Sequence, residues 1–149
     1  MAKRSLTQAE ADVLLAMPKR PLSDDLHEFP SRGGRLFVPL VSHDGREDFA
    51  LDVSRGRIDL AKAKYQHRAR RVVPLARLDL NGRPHTNPDG GPMPRTHLHL
   101  YREGFGLAWA FPVPAESFGQ PGDLGAALDD FLRFCNVDPW PVITSPVSA

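Results

Sequence analysis

Cysteine is nearly missing from this chain: Cys135 is the only one in 149 residues. A lone thiol closes no internal disulfide and builds no four-thiolate zinc site, which fits a reducing compartment. Long hydrophobic runs are missing too. No stretch approaches the roughly 18 apolar residues of a membrane span, and the opening MAKRSLTQAEAD has no hydrophobic region of a signal peptide. The reading is therefore a cytoplasmic protein with no membrane partner. Repeats are absent, and 149 residues match one domain by size, so a single unit over 1–149 is expected, with flexible tails at 1–5 and 141–149. A composition of 41% hydrophobic and 25% charged residues excludes fibrous, collagen-like and mainly disordered classes.

Basic residues far outnumber acidic ones in one span. From Arg55 to Arg77 the basic residues are Arg55, Arg57, Lys62, Lys64, Arg68, Arg70, Arg71 and Arg77, against Asp59 alone. Such a cluster suits a polyanion such as RNA, or an acidic partner protein. It also suits a solvated sheet edge, where charge prevents aggregation. The charges fit either use.

What the chain does have is turn residues, 15 Pro and 12 Gly, between β-rich runs. Thr7-Gln8-Ala9-Glu10 has capping-box spacing and predicts a helix from Thr7 to Met17, with Val13, Leu14 and Met17 on one face and Pro18 ending it. Residues 18–34 show no sustained period and read as an irregular connection. RLFVPLV (35–41) and EDFALDV (47–53) flank an Asp44-Gly45 hairpin turn. RIDLAKAKYQHRARR is split into a short strand and a basic strand. VVPLARLDL (72–80) is a further strand, with Pro74 at an edge or bulge. HLHLYR (97–102) and LAWAFPV (107–113) form the last hairpin. Leu124, Ala127, Leu128, Phe131, Leu132 and Cys135 follow amphipathic-helix spacing, which makes Cys135 a core residue. The expected fold is α+β: an antiparallel meander of about five or six strands with an N-terminal and a C-terminal helix on one face.

Three of the six histidines, His85, His97 and His99, fall in RLDLNGRPHTNPDGGPMPRTHLHLYREGFG (77–106). Strand side chains alternate between faces, so His97, His99 and Tyr101 point one way and Leu98 and Leu100 the other. Arg77 and Asp79 share a face in the preceding strand. Pairing the two strands would line one polar face with Arg77, Asp79, His97, His99 and Tyr101, and the 81–96 loop, carrying His85 and Asn87, is long enough to fold back over it. Three uses fit. One is metal-free RNA cleavage: imidazoles serve as acid and base near neutral pH, and Arg77 or Arg102 opposes phosphoryl charge. The second is a metal site for Zn or Fe with His85, His97 and His99 as ligands. Gly91, His97, His99 and Glu103 match the first half of the cupin spacing, with no second half in the chain. The third is no chemistry at all, only hydrogen-bonded histidines in a turn-rich region. His27, His43 and His67 read as surface residues, with His67 near an RNA-contacting strip, and Trp109 and Phe111 read as packing.

The order Arg77-X-Asp79, Pro84-His85, Pro94-X-X-His97-X-His99 resembles the TumE-type toxins of bacterial toxin–antitoxin pairs over about residues 77–101. Relative to that pattern this chain inserts Asn81-Gly82 and Asp89 to Met93. Over most of its length, LDVSRGRIDLAKAKYQ and the last helix included, the chain also resembles a family of uncharacterised bacterial proteins. The toxin resemblance implies a ribonuclease held in check by an antitoxin protein. His97 and His99 would be the acid/base pair, helped by His85, Arg77, Asp79 and Tyr101, with no cofactor; Lys64, Arg68, Arg70, Arg71 and Arg102 would hold RNA. The competitors are the Zn or Fe enzyme and a non-catalytic binding module with a basic face.

Overall fold

Thr7 opens the first helix by the capping box its spacing predicts. In the computed structural model, which describes residues 5–146, the Glu10 amide donates to the Thr7 hydroxyl at 3.1 Å and the Thr7 amide donates to the Glu10 carboxylate at 3.0 Å. Two of the donors that a helix start leaves unpaired are thereby satisfied. Helix α1 covers Gln8–Ala16 and buries Ala11 and Leu14; Val13, expected inside, is 61% exposed.

The strands are β1 (Lys19–Pro21), β2 (Leu26–His27), β3 (Arg35–Ser42), β4 (Asp48–Arg55), β5 (Ala63–Ala69), β6 (Val73–Leu80), β7 (His85–Thr86), β8 (Pro92–Met93), β9 (His97–Leu100), β10 (Ala110–Phe111) and β11 (Val142–Ile143), with helix α2 (Leu124–Phe134) between the last two. Seven of them form one sheet in the order β1-β3-β4-β5-β6-β9-β10, each neighbouring pair antiparallel. The class is α+β and the sheet is a meander. Its strand count exceeds the expectation because β1, three residues paired on one side only, lies in the stretch that shows no period.

Other differences have local causes. RIDLAKAKYQHRARR yields one strand: residues 58–62 form a turn closed by Lys62 N to Asp59 O and Gly56 N to Lys62 O, and Ile58 is 94% exposed. Pro74 sits where the β5–β6 register slips, so that Arg68 pairs with Pro74 and His67 with Ala76, leaving Leu75 as the extra residue. This is the bulge its missing N–H calls for. LAWAFPV contributes only two strand residues because histidine rings take the Leu107 and Ala108 carbonyls. The expected C-terminal tail is tied down as far as Thr144. Val142–Ile143 pairs in parallel with Leu26–His27, Thr144 N donates to His27 O, and Phe29 N donates to the Thr144 hydroxyl. Of the two expected tails, residues 1–4 and 147–149 lie outside the described residues.

One sheet face is the core. Leu40, Phe49, Leu51, Val53, Tyr65, Leu78, Leu80 and Leu98 belong to one buried cluster with Ala127, Leu128, Phe131 and Leu132 of α2. Each such aliphatic side chain stabilises the fold by roughly 1.5–3 kcal/mol through burial. Tyr65 reaches across the layer to donate its hydroxyl to Leu124 O at 2.7 Å. Lys19, fully enclosed, donates its ammonium to Leu15 O at the end of α1 and to Cys135 O at the end of α2. One cation thus serves the negative ends of two helix dipoles. No helix among the described residues is long and apolar enough to cross a membrane.

Candidate functional site

Strand alternation and register together assemble the site. On β6, Arg77 and Asp79 point away from the core; directly opposite them on β9 stand His99 and His97. Arg77 Nε donates to Asp79 Oδ1 at 2.7 Å, and its Nη2 lies 3.4 Å from Oδ2 and 3.2 Å from His99 Nε2. His97 and His99 are buried, as is Asp79.

Backbone carbonyls define the histidine tautomers. A carbonyl oxygen only accepts, so His97 Nδ1 donates to Pro94 O at 2.6 Å and His99 Nδ1 donates to Leu107 O at 2.7 Å. The Nε2 atoms of both rings are turned inward, 3.5 Å and 3.8 Å from Asp79 Oδ2. For His99 the Nε2 lone pair receives an Arg77 hydrogen. In the tautomer set by Pro94 O, His97 Nε2 carries a lone pair, so it and Asp79 Oδ2 present two acceptor atoms to the same space. Burial first, and then the Arg77 charge, push the His99 pKa down to about 4, so this ring is neutral at pH 7.

The 81–96 loop folds back over this face. His85 packs its ring 4.7 Å from that of His99 and 5.6 Å from that of His97, and those two rings are 4.8 Å apart. Two devices latch the loop to the sheet edge. His85 Nε2 donates to Ala108 O at 2.8 Å, and the Asn87 amide both donates to Ala110 O and accepts from Ala110 N, copying a strand neighbour for β10. Gly90, at φ +87°, turns the loop between β7 and β8 in a backbone region that L side chains rarely adopt.

Asp79, His97 and His99 each offer one ligand atom, all within 4.8 Å of one another. Two imidazoles and a carboxylate, with each Nδ1–H held by a carbonyl, are the donor set and outer support of many Zn and Fe centres. Of the three-histidine set expected from the sequence, His97 and His99 fall in this group, whereas His85 Nε2 bonds to Ala108 O and the third member of the group is Asp79. Arg77 would have to leave Asp79 and His99 to admit an ion. The half-cupin spacing is not realised either, since Glu103 accepts from Gln8 N at 2.7 Å.

Other expected residues scatter. Tyr101 joins the core rather than the histidines: it lies beyond the end of β9, and its hydroxyl accepts from Leu6 N at 2.7 Å and donates to Leu6 O at 2.8 Å. Lys64 and Arg68 share the histidines' face, Arg68 in a bidentate pair with Asp52. Arg70 and Arg71 occupy the β5–β6 turn, both at positive φ, with Arg70 paired to Glu47. Arg102 lies 4.4 Å over the Trp109 ring. His67 is no surface residue: it is buried, stacked on Phe49 at 5.4 Å. Cys135 is buried in the core, and burial pushes its thiol up to about 12. Residues the sequence did not single out are Gln66, the cross-strand neighbour of Arg77 as Lys64 is of Asp79, and exposed Phe37 beyond them. The period-two pattern of AKYQHRA would have placed Lys64, Gln66 and Arg68 on one face.

No curated protein and no solved structure matches this sequence. A family model described as a family of unknown function, DUF6978, matches residues 6–137. With most of its length inside that match, the two helices and the whole histidine cluster included, the chain belongs to this family of unknown function.

Proposed function

We propose that the chain cleaves RNA in the cytoplasm by metal-independent acid–base chemistry at the histidine cluster, as the toxin of a toxin–antitoxin or phage-defence module. One observation carries this reading. Two imidazoles of defined tautomer flank an Arg77–Asp79 ion pair, on a sheet face that continues into basic residues. In the reaction, Arg77 shifts its hydrogen bond from His99 Nε2 to a phosphoryl oxygen, the freed Nε2 takes the proton of a ribose 2′-hydroxyl, and the 2′-oxygen attacks phosphorus. The bond to the 5′-oxygen breaks, and that oxygen receives a proton from His97. The products are a 2′,3′-cyclic phosphate and a 5′-hydroxyl. Arg77 opposes the charge that builds on the phosphoryl oxygens, and Asp79 orients His97. Because both strand histidines lie beneath the 81–96 loop, the loop lifts from β10 to admit substrate. The antitoxin partner follows from the resemblance to TumE-type toxins and would hold the protein inactive.

The test is growth of bacteria expressing the wild type beside His97→Ala, His99→Ala and His85→Ala variants of verified solubility, followed by RNA cleavage with purified protein in chelator. Arrest by the wild type, lost with His97 and His99, and cleavage that survives chelation are the expected results. Activity abolished by chelator and restored by Zn or Fe would reassign Asp79, His97 and His99 as metal ligands. Undiminished arrest by a His97→Ala, His99→Ala double variant would leave a non-catalytic binding module.

A further inference from the structure

We infer that the uncovered sheet face beside the histidines is a track for single-stranded RNA, with Phe37 as the surface on which a base stacks; the inference rests on the RNA-cleaving reading above. The register puts Arg35, Phe37, Lys64, Gln66, Arg68 and Arg77 on one side of adjacent strands, around a groove of about 490 Å³. A second hollow of about 350 Å³ shares Arg35 and Lys64 with it and adds Arg57 and Lys62. The two hollows adjoin at these shared residues, and the first is also lined by Arg77, the residue bonded to His99.

Charge along these hollows is unbalanced. Arg68 is neutralised by Asp52 and Arg77 by Asp79, whereas Arg35, Arg57, Lys62 and Lys64 have no ion-pair partner among the described residues. Four free cations invite a polyanion. Phe37 narrows the class. Its ring is 51% exposed in the middle of the charged face, with the Arg68 guanidinium 5.8 Å from its centroid. Aromatic rings on an open sheet, flanked by cations, are how single strands are held: each base has a face to stack, and a duplex keeps those faces to itself. An acidic protein would satisfy the cations and leave Phe37 unused. A strand crossing this surface passes Gln66, the cross-strand neighbour of Arg77, and so delivers a phosphate to the cleavage site.

The test is fluorescence anisotropy with the intact protein and a short 2′-O-methyl RNA, whose blocked 2′-oxygen cannot be cleaved by the proposed chemistry. Four contacts at about −0.7 each give a salt slope of about −2.8, an affinity loss of about 50-fold between roughly 50 and 200 mM salt. Arg35→Ala with Lys64→Ala should reduce that slope by about 1.4. Phe37→Ala should weaken binding about tenfold, Phe37→Trp should restore it, and duplex RNA should bind more weakly than a single strand. Salt-insensitive binding, equal affinity for duplex, or a Phe37→Ala variant as tight as wild type would overturn the track, as would Phe37-independent binding of polyglutamate at equal strength. Binding as expected with natural RNA left uncut would keep the track and remove the acid–base reading; cleavage indifferent to Phe37, Arg35 and Lys64 would do the reverse.

Discussion

Acidification should unfold this protein through His67. The ring is 1% exposed, its Nδ1 donates to Ala50 O at 3.1 Å, and its Nε2 has no hydrogen-bond partner. Burial, and then the charge of Lys19, lower its pKa from 6.5 to about 3. In that window the unfolded chain binds the proton and the folded chain does not. The contribution of neutral His67 is therefore complete above pH 6.5 and is lost as pH falls toward 3. At about 1.4 kcal/mol per unit, the whole window amounts to about 5 kcal/mol, and the part lost by pH 4.5 is about 2.7 kcal/mol. The assay is urea unfolding of the wild type and His67→Gln at pH 7 and pH 4.5. Glutamine does not titrate, and its amide can still donate to Ala50 O. Other titrating groups, His99 among them, are common to both proteins and cancel in the comparison. The wild type should lose about 2.7 kcal/mol more than the variant across that interval. Parallel losses in the two proteins would refute the reasoning, because His67 would then titrate alike in the folded and unfolded chains.

Three further outcomes are expected. Tyr101→Phe removes a buried hydroxyl from Leu6 and should cost about 1–3 kcal/mol in thermal or urea unfolding, with the proposed RNA cleavage unchanged per folded molecule. Asn87→Ala unfastens the loop from Ala110, so modification of His97 and His99 by diethyl pyrocarbonate, read by mass spectrometry, should accelerate toward the rate of exposed His43; an unchanged rate would mean that the Asn87 bonds do not hold the loop shut. Lys19 falls from 10.5 to about 8 on burial, so the folded chain gives up its proton first and stability should rise between pH 8 and 10.5 by about 3 kcal/mol. Lys19→Met should lack that rise in urea unfolding at the two pH values.

Much of the site was legible because a strand's period is two. RLDL and HLHL each divide their side chains between faces whatever they pair with, so Arg77 and Asp79 had to share one side, as did His97 and His99. The Thr7 capping box and the α2 apolar stripe were equally local signals. The same period in YQHRA puts His67 with Tyr65 and Ala69, which marked it for the interior; the basic residues around it drew it to the surface reading instead. Other features exist only in three dimensions. Register set Asp79 against His97, and loop closure brought His85 onto His99. The chain's path beyond β9 turned Tyr101 into the core, and the packing of two helix ends placed a lysine where water cannot reach. Local sequence determines which way a side chain points relative to its own backbone. What it meets there depends on elements tens of residues away, held by carbonyls and ring faces that no residue pattern records.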